Sequence, residues 1–206
     1  MNGASAELII AHTQKWIADV VVGCNFCPFA AKELKRNTVH YEVLVNASIV
    51  RTLETILTLL RHLDDNKNVE TSFLILPGSF LSFDAYLDLV NLSEKLLVKE
   101  NYEGIYQVAS FHPQYRFAGT SDNDPANYTN RSPYAMLHVL RENSVSKAVD
   151  DYPAIREVPE RNIAFTKEKG LRYMQQLLAG SLSIPDPGIL SGKNFSGLKN
   201  KGNDDI

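Results

Sequence analysis

The chain is poor in cysteine. Cys24 and Cys27 are the only two. Two thiols build no disulfide framework, and with no His or Cys at metal-ligand spacing they complete no zinc set. The opening MNGASAELIIAHTQKW lacks the basic segment and continuous apolar run of a secretory signal, so the thiols are expected to be reduced and the protein cytoplasmic. The sequons Asn127-Tyr128-Thr129 and Asn130-Arg131-Ser132 then carry no glycan meaning. No apolar run approaches the roughly 20 residues needed to span a bilayer. Neither sign of charge dominates: 21 basic and 24 acidic residues leave a formal net charge of −3. No global field draws in nucleic acid or an anionic membrane. There is no Gly-Lys-Ser/Thr phosphate loop, no dinucleotide fingerprint, no nucleophile elbow and no basic-aromatic nucleic-acid surface. Asp122-Asn123-Asp124 opens like a calcium loop but lacks the downstream Gly and Glu, so it reads as a turn. No segment repeats.

What is present is ordinary for a globular chain, with 44% hydrophobic and 22% charged residues among 206. We expect one globular domain over 1–180 and an extended or disordered tail over 181–206, which is rich in Pro, Gly, Ser and Asn. Ser5 caps a helix over 6–22, and Gly23 stops it in a left-handed conformation. Pro28 starts a short helix to about Arg36, which makes Cys27 its N-cap residue. Strands are expected over 38–45, 69–76 and 105–111, and helices over 49–63 and 83–100. Ser132 and Pro133 are expected to start a helix to about Asn143, followed by a short one near 145–150. Pro153 interrupts, and Pro159 opens a last helix that Gly170 divides and Gly180 ends.

The order strand, helix, strand, helix, strand predicts an α/β fold. Its core is a small three-stranded, mostly parallel sheet (βαβαβ) covered by helices, with extra N- and C-terminal helices. Ligands of such sheets sit at the carboxyl ends of the strands. Phe111 to Pro133 leaves that edge, and it is too long for an ordinary connection and too aromatic for a disordered one. Cys27, His112 and Arg131 are therefore expected to converge there.

The candidate chemistry has three forms. In the first, a small enzyme acts on a small anionic molecule. Cys27, at a helix N-terminus, is nucleophile or ligand, and His112, held extended by Pro113, is base or ligand. Tyr134, His138 and Arg141, on one helix flank, fix negative charge with Arg131 at the helix start, and Tyr115, Asn127 and Asn130 stand beside them. In the second, the 111–133 loop is the binding surface of a non-catalytic metabolite- or protein-binding domain. In the third, Cys27, His112 and His138 hold a metal, although no spacing supports a metal site. Plain structural roles stand beside each: a buried thiol, a histidine bonded to a loop carbonyl, a solvated arginine. Arg161 and Asn162 read as structural, reaching a loop to hold it. Cofactor, reaction and oligomeric state do not follow from the residues.

Four segments in order are specific: Val22-Gly23-Cys24-Asn25-Phe26-Cys27-Pro28-Phe29-Ala30, Phe111-His112-Pro113-Gln114-Tyr115-Arg116-Phe117, Asn127-Tyr128-Thr129-Asn130-Arg131-Ser132-Pro133-Tyr134 with His138 and Arg141-Glu142, and Val158-Pro159-Glu160-Arg161-Asn162-Ile163. With them the chain resembles the bacterial family known as domain of unknown function 1415, over about residues 6–179. The resemblance implies an aliphatic residue where Cys24 stands, which leaves Cys27 as the matching cysteine. It implies no activity, cofactor or partner.

Overall fold

The computed structural model describes residues 4–184. Expectations for the tail beyond residue 184 lie outside them. Helix α1 spans Ala6–Trp16, with the Ser5 hydroxyl accepting from the Leu8 N–H. It continues over Ile17–Val22 as a π-helix, in which each amide reaches back five residues. The Gly23 N–H bonds the Ala18 carbonyl at 2.9 Å, and the Phe26 N–H bonds Val21 at 2.8 Å. The expected left-handed stop at Gly23 is corrected: its φ is −60°, and the left-handed residue is Asn25, at φ 55°. The second helix is also shorter than expected. Helix α2 spans Ala30–Arg36 with Phe29 as its N-cap residue, so neither Pro28 nor Cys27 belongs to the helix start.

Strands β1 (Val39–Val43), β2 (Thr71–Leu76) and β3 (Tyr106–Phe111) and helices α3 (Ile49–Asp65) and α4 (Phe83–Lys99) fall where periodicity put them. The main correction comes next. Residues Ala135–Arg141 form a strand, β4, and not a helix. Pro133 starts no helix because the Ser132 hydroxyl donates to the Tyr134 carbonyl, 2.6 Å away, instead of accepting from a helical amide. β4 lies at the centre of the sheet, in the order β1-β2-β4-β3. It is antiparallel to both neighbours, while β1 and β2 are parallel. The sheet is therefore mixed and four-stranded, not three-stranded and mostly parallel. The remaining chain forms α5 (Glu142–Asp150), α6 (Val158–Lys169) and α7 (Leu171–Gly180), with Gly170 at φ 80° between the last two.

Helices cover both faces. Ile56, Leu60 and Leu63 of α3 and Tyr86 and Leu89 of α4 pack on Leu74, Leu76, Leu137 and Val139. On the other face Ile9, Trp16, Ile17 and Val20, with Met174 of α7, cover Phe73, Ile75 and Met136. Being covered on both sides, β2 is buried at every position and β4 at most of its positions. Since β4 runs against the other three strands, its start meets the ends of β2 and β3. The 77–82 and 112–134 segments thus share one edge of the sheet.

Candidate functional site

His112 is almost fully buried, with 1% of its surface exposed. The Gln114 backbone N–H donates to its Nδ1 at 3.0 Å. That leaves the proton on Nε2, which donates to the Phe80 carbonyl at 2.8 Å. Both ring nitrogens are thereby occupied and the ring is neutral. Burial lowers its pKa, and the Arg131 charge nearby lowers it further, against the Phe80 bond, which raises it. Phe80 has φ 51°, a left-handed conformation that a bulky aromatic rarely adopts. Its bond to His112 fixes this turn and ties the segment before α4 to the long loop.

The loop is ordered by its own amides and carbonyls. Asn127 is fully buried, and its Oδ1 accepts from the Phe117 N–H and the Thr120 hydroxyl at 3.1 and 2.9 Å. Its Nδ2 donates to the Ser121 carbonyl. Asn130 bonds back to β3 through the Ser110 carbonyl. Arg131 donates from Nε to the Tyr115 carbonyl at 3.0 Å and from Nη2 to the Asp122 carbonyl at 2.8 Å. One face of its guanidinium lies over the Tyr128 ring, 4.7 Å from the centroid. The Trp16 indole N–H donates to the Arg131 carbonyl. Arg131 is thus fixed by backbone groups, and among the described residues no carboxylate pairs with it.

Arg131 borders an open cleft of about 710 Å³. The cleft lies between the loop, which supplies Gln114, Arg116, Asp122 and Arg131, and the start of α4, which supplies Leu81, Ser82, Phe83 and Asp84. Arg116 pairs with Asp122 at 3.0 Å. Asp84 is the acid in the first turn of α4.

The other sequence candidates lie elsewhere. Arg141 is at the opposite end of β4, where it donates to the carbonyls of Leu63 and Val69 and to the Tyr106 hydroxyl. Asp64 receives both the Tyr102 and Tyr106 hydroxyls, which closes the network and lowers its pKa against the desolvation that raises it. Tyr134 bonds the Nδ1 of His12 at 2.7 Å. His138 stacks on Phe73, with centroids 3.8 Å apart. The Thr71 hydroxyl donates to the Val139 carbonyl, so the His138 Nε2–H must donate to Thr71 Oγ1, at 2.5 Å. Burial pushes this neutral ring down to about 3. Among the described residues, no hydrogen bond joins Cys27 to His112, and no His/Cys/Asp/Glu group able to hold a metal forms. The expected helix flank of Tyr134, His138 and Arg141 is corrected to a strand, whose neighbours point to opposite faces.

Gln114 and Arg116 were missed as site residues although they stand within the Phe111–Phe117 segment. Ser82 and Phe83 were missed because a helix start carries no ligand signal of its own.

The model for the family described as Protein of unknown function (DUF1415) matches residues 8–176. The chain belongs to this family. No curated protein and no solved structure matches it. The four segments that carry the DUF1415 resemblance are joined in space by hydrogen bonds. Arg161 donates to the Asn25 carbonyl, and the Asn162 Nδ2 donates to Phe26 at 2.9 Å, which ties the fourth segment to the first. The second and third meet through Asn127, Arg131 and the His112 N–H, which donates to the Asn130 carbonyl. In this DUF1415 chain, Cys24 is buried among apolar side chains, and burial raises its pKa. No helix among the described residues is long and apolar enough to cross a membrane.

Proposed function

We propose that this protein binds a small anionic molecule, a carboxylate or a phosphate, in the cleft between the 111–133 loop and the start of α4. One observation carries the reading. Arg131 is held in place by the carbonyls of Tyr115 and Asp122, borders the cleft, and has no carboxylate partner among the described residues. An arginine pre-set by backbone acceptors loses little freedom when it meets an anion, and the donors left on Nη1 and Nη2 suit carboxylate and phosphate oxygens. Gln114 adds an amide donor. Arg116 can turn from its exposed pair with Asp122, which contributes little on the surface.

The reading is binding and not covalent catalysis. His112 has no free nitrogen for a proton, and neither Cys27 nor any histidine lines the cleft. Both cysteines are free, which supports a reducing compartment and so the cytoplasm.

Thermal unfolding of the full chain with increasing inorganic phosphate or acetate tests the reading. A ligand at 100 times its Kd stabilises the native state by about 2.7 kcal/mol, so saturating anion is expected to raise Tm by several degrees. Arg131→Lys, which keeps the charge but loses the fork, is expected to reduce the shift. A Tm that follows ionic strength alone, equally in the variant, would sink the proposal.

A further inference from the structure

The cleft has two unlike walls. Its loop wall is polar: Gln114, Arg116, Asp122 and Arg131. Its other wall brings two apolar side chains, Leu81 and Phe83. Leu81 is 72% exposed, more than any other large hydrophobic side chain among the described residues. Phe83 is braced from behind, with the His112 and Tyr115 rings each 5.3 Å away. The aromatic row continues from Tyr115 to Phe117, at 5.0 Å, and Phe117 is 36% exposed. An aliphatic side chain left in water beside a rigid aromatic plate gains nothing in folding, but it gains area burial when a flat apolar group covers it.

We propose that the ligand of this cleft is an aryl anion: a flat aromatic group seated against Leu81 and Phe83, with its carboxylate or phosphate on Arg131. This rests on the anion reading above and adds to it a requirement for the ring. The lining follows the division of labour seen in small-molecule sites, where apolar walls supply area and a few polar groups fix orientation. Arg131 receives the head group, and the exposed leucine covers the body.

Calorimetric titration of the full chain with two probe pairs tests this: inorganic phosphate against phenyl phosphate, and acetate against benzoate. In at least one pair the aryl probe is expected to bind about tenfold or more tighter than its simple partner, the effect of burying one side of a ring. Leu81→Ser is expected to remove that preference without lowering the unfolding midpoint, since Leu81 is 72% exposed. Arg131→Lys is expected to weaken both members of a pair alike. Equal affinity within both pairs would overturn the aryl assignment and leave the anion reading standing. A preference that survives Leu81→Ser would overturn the assigned wall. No binding by any of the four probes would overturn both.

Discussion

His138 and His112 show how burial keeps an imidazole neutral while one hydroxyl or one carbonyl fixes which nitrogen carries the proton. Each has its proton on Nε2, because an acceptor meets that nitrogen. For His138 the ordinary value of 6.5 falls to about 3. The unfolded chain therefore takes up the proton first as pH falls. Stability is full above about pH 6.5 and declines as pH drops toward 3, at up to about 1.4 kcal/mol per pH unit for this one group. His112 acts in the same direction. His138→Phe keeps the stack on Phe73, and Thr71 keeps its bond to Val139. Denaturant unfolding from pH 7 to pH 4 is expected to show a flatter acid limb for this variant. An unchanged slope would mean that the ring is already charged in the native state. At this scale the sequence was partly legible. Pro113 marked His112 as fixed, but only the fold reveals that both its nitrogens are engaged. The Arg131 charge was legible as a type, and its cleft was not.

Among elements, the π-helical end of α1 is the feature that sequence periodicity hides. Ile17, Val20 and Val21 read as an ordinary apolar stripe, yet the amides there reach back five residues. This widened turn brings the Asp19 carbonyl close to Gly23: a Cβ there would lie 2.2 Å from that oxygen. Gly23 is thus required by space and not by a positive φ. Gly23→Ala is expected to destabilise the protein by about 1–3 kcal/mol, the usual range for forced overpacking, read as a lower midpoint in chemical denaturation. A neutral outcome would mean that the turn closes as an ordinary α-helix at no cost. The elements misread from sequence share one physical cause. β4 is apolar on both faces, with Ala135, Leu137 and Val139 on one side and Met136 on the other, so its alternation is lost. Ser132-Pro133 then imitated a helix start. β1, β2, β3, α3 and α4 were legible to within two residues, β2 because Pro77-Gly78 bounds its apolar run.

The whole molecule is organised by that misread strand. Placing β4 inside the sheet turns the connection from β3 into a path along one edge, which is why the loop meets the start of α4. It also separates Arg141, at the end of the strand, from Arg131, which stands in the loop before its start. Helix α6 closes the assembly from the other side, since Asn162 holds the Phe26 carbonyl and the Phe26 ring meets Phe165 edge to face, 5.8 Å apart.

The central position of β4 has a consequence for synthesis. The ribosome delivers β1, β2 and β3 first, and in the finished sheet β2 and β3 touch only through β4. Until residue 141 has emerged, the nascent chain carries two unsatisfied strand edges and a half-covered core, the condition that favours aggregation and chaperone capture. A chain stopped at Pro133 is therefore expected to be insoluble or protease-sensitive, while one that continues through α7 folds. A soluble, cooperatively unfolding product of the shorter chain would show that β1 to β3 assemble without their bridge. The last strand made is thus the one that joins the sheet, and the protein commits to its native state late in translation.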